Sequence, residues 1–344
     1  MNQTALTKML VENLVDRYLP KLQLDTPRSI RKLVDLAECL SHGGKQKQIF
    51  QAFQKLLSKD DSPYYAVIQR VISQFNPRSI KTFGMNLGLN SWSALCRRPA
   101  REEAPPWTLL FHLKNTPDAL SLDELTALLQ ESSSVGIHTF LLMVDRSYGA
   151  LEELLSRIRG FSDCAFALFM PATLLNASIL KQAELSSNLL FSLEDTPDAD
   201  PEPATRDLRG RKCPFALHTI YRTSSDTENI LCGNWLERVN HMRSPFAFFF
   251  PGAECSEESR SAIREYAKKL RTAPVQPVFS MSLDDVADVD ELISGKPRVL
   301  SIRPDGTLDT EGSLIRSKTI LRENRRISLL DALRQYTDPR LIIK

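Results

Sequence analysis

The sequence predicts an α/β fold of six βα units, either an open partial barrel or a doubly wound sheet. An N-terminal helical region precedes it and a small α+β segment follows. Six short apolar runs between residues 107 and 250 begin 24 to 32 residues apart, the spacing of a strand plus a crossover. The runs are continuous rather than alternating, as strands are when a parallel sheet is covered on both faces. Residues 1–82 hold no such runs, only apolar stripes at three- and four-residue spacing.

Taken in order, Leu6, Met9, Leu10, Leu14 and Tyr18 form the first stripe, which Pro20 should end. Thr26-Pro27 supplies an N-cap and a first-turn proline for a second helix carrying Ile30, Leu33, Val34, Ala37 and Leu40, with Cys39 in its core. Gly43-Gly44 breaks it. Ile49, Phe50, Phe53, Leu56 and Leu57 mark a third helix, and Tyr64, Ile68, Val71, Ile72 and Phe75 a fourth. Residues 83–104 lack sustained periodicity and read as a connecting segment, with Trp92 as a packing anchor.

The predicted strands are 107–113, 139–144, 165–169, 189–193, 215–221 and 246–250. Helical patterns lie between most of them; the tract 194–214, rich in proline and charge, reads as a loop. From 283 to 344 the chain offers a strand at 298–302, a Pro304-Asp305-Gly306 turn, a return strand from Thr307, and a short helix at 327–333. The domain boundaries are therefore 1–82, 83–104, 105–282 and 283–344.

Of 344 residues, 42% are hydrophobic and 25% charged, with a net charge of +2. That balance makes no electrostatic case for binding nucleic acid or a membrane surface. No apolar run approaches the roughly 20 residues of a membrane span, and the N-terminus lacks a signal peptide's apolar core. The six cysteines, at 39, 96, 164, 213, 232 and 255, are never closer than 19 residues, so no zinc-ribbon, thioredoxin or compact iron–sulphur spacing exists. Scattered cysteines suit a reducing cytoplasm.

In a βα fold the functional face lies at the carboxyl ends of the strands. The candidate ligand-binding residues there are Lys114, Asp145, Arg146, Glu194, His218 and Arg222. Asp145, Glu194 and Asp195 could form an acid/base pair, though one carboxylate per loop end is ordinary for any such fold. His112 and His218, inside predicted strands, read as hydrogen-bonded interior histidines. No histidine has a His or Cys partner three or four residues away, so no metal ligands are assigned. Arg206, Arg209, Arg211 and Lys212 form a basic run that could contact an anion or a partner's acidic surface, set against the plainer reading of a solvated loop.

Several fragments, in order, resemble radical S-adenosylmethionine (radical SAM) enzymes that carry a SPASM-like C-terminal extension. They are FGMNLGLNSW followed by PPWTLLFHL, then LSLDELTALLQESSSVGIHTFLLM, ALFMPATLL, FSLEDTPDA and RVLSIRPDGTLDTEG…ISLLDAL. The resemblance implies a partial (β/α)6 TIM-like barrel. It also exposes systematic departures. The family's loop after the first strand carries Cys-x-x-x-Cys-x-x-Cys, which holds a [4Fe–4S] cluster; here HLKNTPDALSLDEL has no cysteine. The family's Gly-Gly-Glu-Pro aligns with Val144-Asp145-Arg146-Ser147, and the extension's cysteine falls near Glu311.

The resemblance therefore implies a chain without catalytic residues, metal or cofactor: a pseudoenzyme that binds or scaffolds an intact radical SAM enzyme, as a heterodimer, or presents its substrate. Two alternatives stand beside it: an enzyme of another class using the barrel mouth without a cluster, and a ligand-binding regulator.

Overall fold

The computed structural model describes residues 3–41, 44–91, 105–196, 199–273, 275–295, 299–310, 319–320, 329 and 331–333. Five helices open the chain: α1 (Gln3–Leu22), α2 (Thr26–Cys39), α3 (Gly44–Leu56), α4 (Tyr64–Gln74) and α5 (Pro77–Met85), the last running into a π turn at Asn86–Asn90. The apolar stripes place α2 to α4 as expected. The α2 cap sits one residue earlier than the sequence suggests: the Asp25 carboxylate accepts from Arg28 N–H at 3.1 Å, leaving Pro27 in the first turn.

Strands and helices then alternate: β1 (Thr108–Leu113), α6 (Leu122–Ser134), β2 (Thr139–Val144), α7 (Leu151–Ile158), β3 (Ala165–Pro171), α8 (Ala177–Leu185), β4 (Leu189–Glu194), α9 (Glu202–Gly210) and β5 (Phe215–Tyr221). Next come α10 (Ser224–Leu231), α11 (Asn234–His241), β6 (Phe246–Pro251), α12 (Glu257–Thr272), β7 (Phe279–Ser282), α13 (Leu283–Ser294), β8 (Leu300–Ile302), β9 (Thr307–Thr310) and β10 (Thr319–Ile320). Polar caps start the crossover helices where the strand loops end. Ser121 and Glu124 form a reciprocal capping box on α6, Asn176 caps α8, and Thr223 with Asp226 caps α10.

The chain forms two compact units, each built from two segments: Thr82–Ala204 with Leu283–Lys344, and Met1–Lys81 with Thr205–Ser282. In the first unit the strand order is β10-β9-β8-β1-β2-β3-β4. Strands β8, β1, β2, β3 and β4 pair in parallel, whereas β8–β9 and β9–β10 are antiparallel. Strand β3 is buried at all seven positions. Phe111, Phe140 and Phe166 stand in line across β1, β2 and β3, with ring centroids 6.2 and 5.2 Å apart. In the second unit β5, β6 and β7 pair in parallel, and Phe75, just past α4, packs edge-on to Phe215 at 5.8 Å. The fold is the predicted α/β partial barrel with an N-terminal helical region and an α+β extension.

Several local expectations fail. Pro20 lies inside α1, which continues to Leu22. Cys39 is exposed rather than core. The segment from Phe83 is helical through Ser91 because Asn86 and Ser91 find buried polar contacts that its weak periodicity does not reveal. The tract 194–214 contains α9: Pro203 falls in its first turn, where a proline costs no hydrogen bond, and Asp200 Oδ1 accepts from Glu202 N–H at 3.2 Å. Strand β7 and helix α13 were not anticipated. Trp92, Cys96, Glu311 and residues 327, 328 and 330 of the predicted 327–333 helix lie outside the described residues, whereas 329 and 331–333 are helical.

Asn86 supplies a test of this packing. It is 3% exposed, and its Nδ2 donates to Ser162 O at 3.0 Å and Cys164 O at 2.8 Å. Asn86→Ala strands these acceptors and should cost about 1–3 kcal/mol. Urea unfolding with an unchanged midpoint would show that the π turn does not anchor this loop.

Candidate functional site

The carboxyl ends of β1 and β2 bring Lys114, Asp145 and Arg146 together. Leu113 and Val144 are the last register partners, so Lys114 and Asp145 emerge side by side. Asp145 N–H donates to Leu113 O at 2.9 Å, extending the ladder by one residue. Oδ1 of Asp145 accepts from the Ser147 N–H at 2.9 Å and the Ser147 hydroxyl at 2.7 Å, closing an Asx turn. The Ser147 hydroxyl accepts in turn from Asn115 N–H at 3.3 Å.

This geometry decides the chemistry of Asp145. Partial burial acts to raise its pKa. The hydrogen bonds from Ser147, helped by the positive charges of Lys114 and Arg146, outweigh that and hold it below the ordinary 3.8. A general acid or base needs its pKa moved towards neutrality, the opposite direction. Asp145 is thus a turn-former, ionised at neutral pH. Glu194 ends β4 in register with Pro171 of β3, two strands from Asp145 and roughly 10 Å along the sheet. The lowered pKa of Asp145, rather than that spacing, argues against an acid/base pair of the two.

A second polar line flanks Lys114 on its other side and was missed in the sequence. Arg303, after β8, donates from Nη1 to His112 Nε2 at 3.2 Å and from Nη2 to Asp309 of β9 at 3.3 Å. His112 is therefore the hydrogen-bonded strand histidine expected. Its partner was not legible because 191 residues separate them and only the β1–β8 pairing joins them. The crevice between Phe111, His112, Lys114, Tyr148, Arg303 and Pro304 has room for about one water molecule.

The remaining candidates belong to the other compact unit. His218 lies within β5, 2% exposed, with its ring edge-on to Phe250 at 5.8 Å. Arg222 follows β5; its N–H donates to Asp226 at 2.8 Å. Gly252 after β6 lets the chains approach, since a Cβ there would meet Arg222 Cγ at 2.5 Å. The basic run is no loop: Arg206 and Arg209 lie on α9, with Arg211 and Lys212 just past its end. Cationic side chains suit a helix C-terminus, and Arg209 Nη1 donates to Met242 O at 3.1 Å. This run precedes β5, at the strand's amino end, whereas Arg222 follows its carboxyl end.

The donor set does not fit a cysteine-held iron–sulphur cluster, which needs thiolates grouped in one loop. Residues 114–121, between β1 and α6, are Lys-Asn-Thr-Pro-Asp-Ala-Leu-Ser. The loop folds on itself through Ala119 N–H to Thr116 O at 2.9 Å and is tied down through Leu120 N–H to Pro304 O at 2.7 Å. Among the described cysteines only Cys255 follows the carboxyl end of a strand; Cys164 and Cys213 precede β3 and β5.

The Asp145 turn is testable by pH. A carboxylate with a lowered native pKa adds stability above its unfolded value, and that stability is lost as pH falls through the native value. Ser147→Ala should move the Asp145 side-chain titration upward by NMR and narrow the acid range over which the fold persists. An unmoved titration would mean that Ser147 does not set it.

No family model matches the chain, and no curated protein does. Solved structures do match. The crystal structure of Streptococcus suis SuiB bound to S-adenosylmethionine is 11% identical, with a TM-score of 0.50 over 86% of this chain and 79% of that one. SuiB bound to the precursor peptide SuiA gives 11% and 0.51, over 89% and 81%. At this identity the likeness establishes fold alone. It supports the radical SAM-like fold that the sequence resemblance implies.

Proposed function

We propose that this chain is a catalytically silent protein of radical SAM-like fold that works by binding another protein, either an intact radical SAM enzyme or that enzyme's peptide substrate. The observation that carries this reading is the β1–α6 connection. In the fold's active members, by the resemblance, this loop holds a cluster on three thiolates; here it is short, hydrogen-bonded and free of cysteine. Neither a proline nor a lone carboxylate substitutes for thiolates in holding such a cluster.

Two features support binding over catalysis. The strands keep their apolar packing, so the scaffold is retained where the redox loop is not. Asp145 and Ser147, where the family has its cofactor-contacting Gly-Gly-Glu-Pro, are spent on a turn. SuiB, which shares the fold, was crystallised with a precursor peptide, and a peptide or a peptide-modifying enzyme is the class of partner proposed. Lys114, Arg146 and Glu194 are the first unit's residues proposed to meet that partner; Arg222 and the basic end of α9 are candidates within the second unit, taken separately.

Two measurements decide the matter together. Anaerobic reconstitution with iron and sulphide should leave the protein colourless with negligible iron; a brown protein with roughly four irons would overturn the silent-barrel reading. Affinity capture from the native host should recover a radical SAM protein bearing the cysteine motif, or its peptide. Failure to recover either, together with turnover of a small molecule by the pure chain, would assign it to another enzyme class.

A further inference from the structure

At the opposite end of the same sheet, three side chains of different chemistry converge. His138 immediately precedes β2, and Asp163-Cys164 immediately precede β3. The register pair Thr139–Ala165, with Ala165 N–H donating to His138 O at 2.8 Å, sets His138 beside Cys164. Cys164 Sγ lies 3.8 Å from His138 Nδ1, Asp163 Oδ2 lies 3.4 Å from Nδ1, and Asp163 Oδ1 lies 3.6 Å from Sγ. One ligand atom from each residue falls within 4.8 Å of the others.

These separations approach those of a coordination polyhedron. A tetrahedral zinc ion with a bond of about 2.3 Å to sulphur and about 2.0–2.2 Å to nitrogen and oxygen has ligand–ligand edges of about 3.4–3.6 Å. The nitrogen–oxygen edge, made by Asp163 Oδ2, lies at that value and the sulphur–nitrogen edge is 3.8 Å. The 3.6 Å contact to sulphur is made by the other carboxylate oxygen, so a small turn of the Asp163 side chain brings one oxygen to both. We propose that His138, Asp163 and Cys164 bind one divalent cation of the zinc class, with the fourth position left to water. The mixed sulphur, nitrogen and oxygen set selects such an ion over magnesium or calcium, which take oxygen ligands.

The surroundings are arranged as a ligand site requires. Asn86 Nδ2 donates to the carbonyls of Ser162 and Cys164, and Asn90 Nδ2 donates to Asp163 O at 3.1 Å, so the ligand-bearing backbone is held from three points. The side chain of Asp163 is 50% exposed and that of His138 13%, which gives a cation a path in from solvent. Cys164 is fully buried, and burial pushes its thiol up to about 12. Coordination replaces its proton with the cation and releases that proton to solvent. The inference is independent of the function proposed for the barrel's other end.

The test uses the full chain, stripped with chelator and titrated with Co2+ as a spectroscopic stand-in for Zn2+. The expected result is one equivalent per chain, a thiolate-to-cobalt charge-transfer band, and a zinc-dependent rise in Tm. Cys164→Ser should abolish the band. Asp163→Asn, at an exposed position that leaves folding intact, should weaken binding more than about tenfold and remove the Tm shift, as should His138→Ala. Absence of stoichiometric binding in the unaltered chain overturns the proposal. So does a band that survives Cys164→Ser, which would place the cation on one of the other thiols, or an affinity unchanged by Asp163→Asn.

Discussion

The burial of parallel strands on both faces is the constraint on which the first unit depends. From β1 to β4, nearly every strand side chain is sequestered, and β3, buried along its whole length, has no position left for a solvated group. A buried peptide group must be hydrogen-bonded, so the ladder is obligatory and its register admits no slip without misaligning Phe111, Phe140 and Phe166. Chemistry is thereby driven to the strand ends. The fold offers two such rims, and the protein uses them differently.

At the carboxyl rim of β1 and β2, polar groups satisfy one another. Asp145 closes its own turn, Asn115 donates to Ser147, and Arg303 bridges His112 to Asp309. An ionised carboxylate held by two short hydrogen bonds is a poor proton carrier and a good structural element. At the amino rim of β2 and β3, by contrast, a thiol, an imidazole and a carboxylate face one another within ligand distance. The backbone of the thiol and the carboxylate is clamped by two asparagines from the π turn.

Periodicity made the first six strands and most of the helices legible because apolar repetition is a local signal that tertiary contacts rarely reverse. Helix α9 was hidden by its prolines, which are tolerated because Pro203 falls in the first turn. The continuation of α5 into the π turn was hidden because Asn86 and Asn90 are held by backbone carbonyls some 70 to 80 residues further on. Among the candidate residues, Lys114, Asp145 and Arg146 were legible as strand-end residues, though not as a group apart from Glu194, His218 and Arg222. The role of Asp145 was not, since direction of titration depends on where Ser147 points.

The sequence alone determined the α/β class, the places of the first six strands along the chain, the cysteine-free loop after β1 and the neutral charge balance. Each is a matter of composition or of spacing along the chain. Only the tertiary structure decided that Arg303 reaches His112 and that His138 meets Cys164. Those pairs lie 191 and 26 residues apart, and strand pairing, which no local pattern encodes, removes that distance. The scattered cysteines illustrate the difference. Their spacing in sequence argued against any metal site, whereas the β2–β3 register gives one of them a histidine and a carboxylate as neighbours.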